Sequence, residues 1–156
     1  MEGIEYFSRI EGPGGLAGFM VGFGGATHID ALPRLKEAGF KSVINLRLAT
    51  EKDANVEGKR AAAEAAGLNY IHMPMQPKDT DQQYVAEFLA AVEDPENQPV
   101  YIHCHSATRV AALWMILRVL EDGWDADKAR EEAEGIAGRP EEAIAFANYY
   151  IATHGR

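Results

Sequence analysis

The sequence predicts a single α/β domain: a mostly parallel sheet of four or five strands flanked by helices, with a further cluster of helices at its C-terminal end. Three observations predict it. A chain of 156 residues matches one domain at about 100–200 residues per domain. Short runs of strand character alternate with helical patterns closed by glycines, the arrangement of βαβ units. Beyond residue 109 only helical patterns follow, and no repeat, linker or low-complexity stretch divides the chain.

Residues 1 to 18 are Gly-rich and weakly patterned, a surface arm or edge structure. "FMVGFGGAT" is a short strand that runs into a glycine turn. "THIDALPRLKEAG" is a helix with Thr27 or Asp30 as N-cap, Leu32 and Leu35 on one face and Gly39 as its stop. "FKSVINLRL" is a strand with a buried centre, and the polar loop "ATEKDANVEG" leads to the alanine-rich helix "KRAAAEAAG". "LNYIHMPM" is the next strand, ended by Pro74 and Pro77. In "QQYVAEFLAAVED", Val85, Phe88, Leu89 and Val92 share a helical face. "QPVYIHC" is the fourth strand. Helices follow at residues 109 to 121, 125 to 136 and 140 to 153, and Trp114 and Met115 fall in a continuously apolar stretch that marks them as core.

A net charge of -9 disfavours nucleic acid as a partner, because that role needs a basic face. The lone cysteine excludes an internal disulfide framework and fits a reducing compartment. No stretch approaches the roughly 20 apolar residues of a membrane span, and the start lacks a basic end followed by an apolar core. No membrane partner and no signal peptide are therefore expected. The expected location is the cytoplasm, with the periplasm open if the sequence is a mature form.

The chemistry-bearing stretch is "VYIHCHSATRVAALW", in which an apolar strand ends at His103 and Cys104, a short polar loop follows, and Arg109 opens an apolar helix. In parallel sheets the ligand crevice lies beyond the carboxyl ends of the strands. A loop there aims backbone N–H groups inward, and the helix dipole adds partial positive charge, so the place favours an anion. The same field favours a thiolate, the reactive form of cysteine. Arg109 supplies a planar, multidentate cation for an oxyanion. A structural cysteine needs neither the arginine nor the polar loop.

"VYIHCHSATR" resembles the phosphate-binding loop of the protein tyrosine phosphatase superfamily. With "LKEAGFKSVINLR" and "AAEAAGLNYIHMPM" in order, residues 19 to 120 resemble its small bacterial phosphatase-like branch, formerly a family of unknown function. The resemblance implies the compact phosphatase fold and hydrolysis of phosphate monoesters through a cysteinyl-phosphate intermediate. Cys104 would attack phosphorus, while Arg109 and the loop residues His105, Ser106, Ala107 and Thr108 would hold the phosphoryl group. His103 would orient the loop, and an acid would protonate the leaving oxygen. Asp79 is the candidate acid, since Gln76 stands where related phosphatases often carry Asp; the competing reading makes Asp79 solvated and Asp81 a helix N-cap. Arg47, at the end of "VINLR", either joins the anionic pocket or pairs with a surface carboxylate, and Arg139 in "GRP" is read as structural. His72, His103 and His105 lack a carboxylate at ligand spacing, so neither a metal nor another cofactor is expected.

The loop departs from the superfamily in three ways. Four residues separate Cys104 from Arg109 where five are usual, Ala107 stands where the branch often has Gly, and Val110 replaces the hydroxyl residue after the arginine. Persulfide-based sulfur transfer, as in rhodaneses, shares the four-residue spacing and remains an alternative, as does a non-catalytic phosphate- or anion-binding module. The expected partner is a small phosphorylated molecule or a phosphoprotein, with phosphate or sulfate as simple ligands of the loop.

Overall fold

A computed structural model of the protein describes residues 1–12, 15–16, 18–76 and 82–154. Among these, the strands are β1 (Ser8–Ile10), β2 (Val21–Gly24), β3 (Ser42–Asn45), β4 (Asn69–His72) and β5 (Val100–His103). The helices are α1 (Leu32–Glu37), α2 (Val56–Ala65), α3 (Gln82–Glu93), α4 (Thr108–Leu120), α5 (Ala126–Ile136) and α6 (Pro140–His154). The strands form one sheet in the order β1-β2-β5-β3-β4. Four of them are parallel, and β1 pairs antiparallel with β2 at the edge. The predicted α/β class is the observed one, and part of the weakly patterned N-terminal stretch is the edge strand β1.

Strand alternation divides the interior. Val43, Tyr70 and Tyr101 face Leu32 and Leu35 of α1 and Ala63 of α2. Their neighbours Ile44, Ile71 and Ile102 face the other layer, built from α3, α4, α5 and α6. Every residue from Val110 to Leu117 is buried. A helix apolar on all sides has to be enclosed, and α4 lies against the sheet with α5 and α6 packed over it. Trp114, fully buried, meets Phe23 of β2 edge-on at 5.0 Å. Truncating such a residue costs about 3–5 kcal/mol.

Helix starts differ from the sequence expectation at two places: α2 begins at Val56, inside the stretch read as polar loop, with Asn55 accepting the Gly58 N–H at 3.3 Å, and the first helix is entered differently. Neither Thr27 nor Asp30 caps the helix near residue 30; a short 3-10 turn, Ile29–Ala31, intervenes, and His28 Nδ1 accepts the Asp30 N–H at 3.1 Å. Thr27 is drawn into the core instead, where its hydroxyl bonds Tyr101 at 2.7 Å and the Gly25 carbonyl at 2.9 Å. Burial of a hydroxyl requires partners, and Tyr101 supplies one that no local pattern encodes.

β5 occupies the middle of the sheet. His103 lies in register with Gly24 of β2 on one side and Asn45 of β3 on the other. Its carboxyl end is therefore flanked by the ends of two parallel strands, and the crevice expected of such a sheet forms there.

Candidate active site

Cys104 continues the β5 ladder by one bond, its N–H donating to the Gly24 carbonyl at 3.2 Å, and its side chain is buried. The chain then turns into α4. The carbonyl of His105 accepts the Ala26 N–H at 2.6 Å, and that of Ser106 accepts the Gly138 N–H at 2.8 Å. Both oxygens are thereby tied outward, toward the turn after β2 and the turn between α5 and α6. Among the described residues, none of the backbone N–H groups of His105, Ser106, Ala107, Thr108 and Arg109 has a protein acceptor. Ala107 makes the turn into the helix in the left-handed region, φ 60 and ψ 9, which explains why glycine is common there in the related branch. Unsatisfied amides at a helix start form an anion-binding concavity.

Two glycines permit this arrangement. A Cβ at Gly25 would overlap the His105 carbonyl oxygen, and one at Gly138 would lie 2.8 Å from the Ser106 oxygen and 3.0 Å from the Tyr6 ring. Both carbonyl ties depend on backbone approaching backbone at those points.

Arg109 is buried and its guanidinium is fixed from one side. Nη1 and Nη2 donate to the two oxygens of Glu51 at 2.8 and 2.9 Å, and Nη1 also reaches the carbonyls of Leu46 (3.3 Å) and Met75 (3.1 Å). Among the described residues Nε and one hydrogen of Nη2 bond no oxygen, and the guanidinium also bonds the Cys104 side chain. Burial by itself would lower the arginine pKa, but the hydrogen bonds to Glu51 and the nearness of Cys104 outweigh it and hold it above the ordinary value. Burial pushes the Glu51 carboxyl up, yet the bonds from Arg109 and the Leu48 N–H, with the charges of Arg109 and Arg47, bring it down to about 2. Glu51 is thus a permanent anion that orients a permanent cation. Sequence reasoning missed it; its only local signal is a carboxylate four residues after Arg47 in a polar loop.

The remaining candidates take distinct places. His103 points to the α1–α2 side, stacked on Tyr101 at 5.6 Å, and its Nδ1–H donates to the Cys104 carbonyl at 3.3 Å. Burial, then the charges of Lys59 and Arg47, lower its pKa to about 3, so the ring is neutral and holds the loop backbone without touching the cavity. His105 is exposed at the mouth of a cleft of about 400 Å³, which Tyr6, Ser106, Thr108, Arg109 and Arg139 also line. The Ser106 and Thr108 hydroxyls bond each other at 3.0 Å. Val110 is packed in the core. Arg139, read as structural, stands exposed on the rim of this cleft, 3.7 Å from Glu142. Arg47 is neither a surface residue nor at this mouth: it is 2% exposed, with Nη2 on the Lys52 carbonyl at 2.7 Å and Nε 3.4 Å from Glu51. Its carbonyl bonds His72 Nε2 at 2.6 Å. The three histidines are not gathered, and among the described residues no group of three His, Cys, Asp or Glu side chains forms a metal-binding cluster. Asp79 and Asp81 lie outside the described residues.

A central parallel sheet, a cysteine at the end of its middle strand and an arginine in the first turn of the following helix define a domain of the protein tyrosine phosphatase type. Residues 23–120 match the phosphatase-like domain of beta-lactamase hydrolase-like proteins, and the chain belongs to that family. Solved structures agree in fold. A candidate phosphatase of Shewanella putrefaciens CN-32 (DUF442) superposes with a TM-score of 0.74 at 20% identity, covering 99% of this chain and 94% of that chain. The core catalytic domain of the PP-IP phosphatase Siw14 from S. cerevisiae, in complex with citrate, gives 0.73 at 18% identity, with 94% and 86% covered. TpbA of P. aeruginosa in complex with pTyr gives 0.65 at 20%, with 86% and 78% covered. No curated protein matches the chain in sequence. No described helix is long and apolar enough to cross a membrane.

Proposed function

We propose that the protein is a cysteine-dependent phosphatase that hydrolyses phosphate monoesters through a cysteinyl-phosphate intermediate. The observation that carries this reading is the pairing of five unsatisfied loop amides with an arginine whose outer edge is locked by Glu51 and whose inner edge is left for an anion beside Cys104. Bonding the transferring oxygens with donors already in place is the largest catalytic effect available to such a site.

In the first step the Cys104 sulfur attacks phosphorus: the S–P bond forms as the ester P–O bond breaks, and the leaving oxygen takes a proton from a general acid. The proposed acid is Asp79, which follows β4 in sequence. In the second step a water oxygen attacks phosphorus and gives its proton to the same carboxylate. The S–P bond then breaks, inorganic phosphate departs and the sulfur returns as thiolate. Arg109 and the loop amides bind the three non-bridging oxygens throughout, and His103 holds the loop through the Cys104 carbonyl. The substrate is a small phosphorylated molecule or a phosphoprotein. Two proteins of the same fold are described in complex with anions, phosphotyrosine with TpbA and citrate with Siw14, which supports an anionic ligand for this domain.

The test is p-nitrophenyl phosphate turnover by wild type and Cys104→Ser from pH 5 to 8, with thiosulfate-to-cyanide sulfur transfer measured on the same samples. Phosphate release that disappears in Cys104→Ser is the expected result. Sulfur transfer without phosphate release would replace the proposal with persulfide chemistry, which shares the four-residue spacing. Silence in both assays would leave an anion-binding module.

A further inference from the structure

A second cleft, of about 670 Å³, opens between the turn that leads into α1 and the start of α2. It adjoins the cysteine loop: Ala26 in its wall donates to the His105 carbonyl at 2.6 Å, and Glu5 lines both clefts. Its lining includes two cations that are almost wholly buried, Arg47 and Lys59, the latter 6% exposed. The Lys59 ammonium has three hydrogens and, among the described residues, makes one bond, to the Asp53 carbonyl at 3.2 Å. No carboxylate among the described residues lies within 4.0 Å of it. Arg47 shares its one carboxylate, Glu51, with Arg109. Arg47 and Arg109 thus share one half-buried anion, Glu51, and Lys59 has no carboxylate partner among the described residues, in a chain whose net charge is -9.

A lysine stem covering apolar surface normally keeps its ammonium in water; at Lys59 the whole residue is enclosed, beside a cleft. Burial, and then the positive charge of Arg47, lower its pKa, with Asp53 acting in the opposite sense. The carboxylates on the cleft, those of Glu5 and Asp53, belong to exposed residues. A buried charge left without a counter-ion is costly, and an anion entering this cleft supplies one.

We propose that this cleft is a second anion subsite, in which Lys59 and Arg47 hold a phosphate or carboxylate group that the substrate carries in addition to the phosphoryl group at Cys104. The substrate class is then a phosphate ester or polyphosphate with two separated anionic groups. The link to the substrate rests on the phosphatase reading; the subsite itself does not.

The test is calorimetric titration of inorganic phosphate and of tripolyphosphate into Cys104→Ser and into the same protein carrying Lys59→Met, Lys59→Arg or Arg109→Ala. The ratio of tripolyphosphate to phosphate affinity is expected to fall about tenfold with Lys59→Met, the loss of one charge-assisted contact, and to recover with Lys59→Arg. An unchanged ratio in a Met variant that melts as a folded protein overturns the subsite. If Lys59→Met fails to fold, Lys59→Arg decides: a ratio below one in that variant, with tripolyphosphate no tighter than phosphate, overturns it equally. Lys59-dependent binding indifferent to Arg109→Ala keeps the anion site and overturns its link to the substrate. None of these ratios depends on turnover, so a protein that fails to release phosphate from p-nitrophenyl phosphate rejects the phosphatase reading separately.

Discussion

Replacing Glu51 by Gln isolates the device that orients the arginine. The substitution keeps the shape of the side chain and removes the charge that two Arg109 nitrogens share at 2.8 and 2.9 Å. Holding the carboxyl at about 2 against an ordinary 4.5 corresponds to about 3 kcal/mol at 1.36 kcal/mol per tenfold. The Glu51 side chain is 22% exposed, and screening reduces the figure to about 1.5–2 kcal/mol. The sign follows from linkage. A carboxyl held below its unfolded value stabilises the fold above about pH 4.5, and that contribution is lost as pH falls toward 2. Urea unfolding should therefore show Glu51→Gln less stable by about 1.5–2 kcal/mol at pH 7, with the two curves converging below pH 3. Glu51 is a positioning residue, so turnover should suffer through Arg109: about a 10- to 100-fold loss in kcat/KM for p-nitrophenyl phosphate, the usual cost of misplacing a transition-state contact. Wild-type kcat/KM in a Gln variant of reduced stability would refute the orienting role, and equal stability at pH 7 would refute the electrostatic reasoning.

Other consequences are open to the same measurements. Gly138→Ala places a Cβ 2.8 Å from the Ser106 oxygen, so it should cost about 1–3 kcal/mol and lower turnover, whereas Gly135→Ala, in open space on α5, should stabilise by about 0.5–1 kcal/mol with turnover unchanged. Glu132→Ala removes the acceptor of the Trp114 indole at 2.6 Å and of Arg118 at 2.9 and 3.1 Å; unfolding should register a loss of about 2–3 kcal/mol, with KM for p-nitrophenyl phosphate close to wild type. His103, held at about 3 against an ordinary 6.5, is a base that stays neutral in the fold and charges when unfolded. Stability should decline as pH drops from 6.5 toward 3, and His103→Asn should lack the part of that decline that begins near pH 6.5. An NMR titration of His103 with a midpoint above 5 would contradict this.

Much of the fold was legible because its determinants are local. The glycine stops at Gly39 and Gly67, the apolar spacing of Val85, Phe88 and Val92 and the uninterrupted apolar run of α4 all report on neighbours within one or two turns. The start of the first helix was misread for the same reason: Thr27 has cap chemistry, but a tyrosine 74 positions away takes its hydroxyl. At the site, Cys104 and Arg109 could be read from their setting between a strand and a helix. Arg139, read as structural, stands on the rim of the cleft because α5 returns the chain to the loop.

The sequence by itself determined the alternation of strands and helices, the position of the lone cysteine at the end of a strand and the arginine at the start of the next helix. These follow from periodicity and from backbone geometry over a few residues. Only the tertiary structure decided what completes the site. Glu51 meets Arg109 across 58 positions, Ala26 and Gly138 come from opposite ends of the chain to tie back the two loop carbonyls, and Lys59 is carried beside Arg47. The physical reason is the strand order: with β5 between β2 and β3, loops far apart in sequence share one end of the sheet, and no local pattern of side chains encodes which of them will meet there.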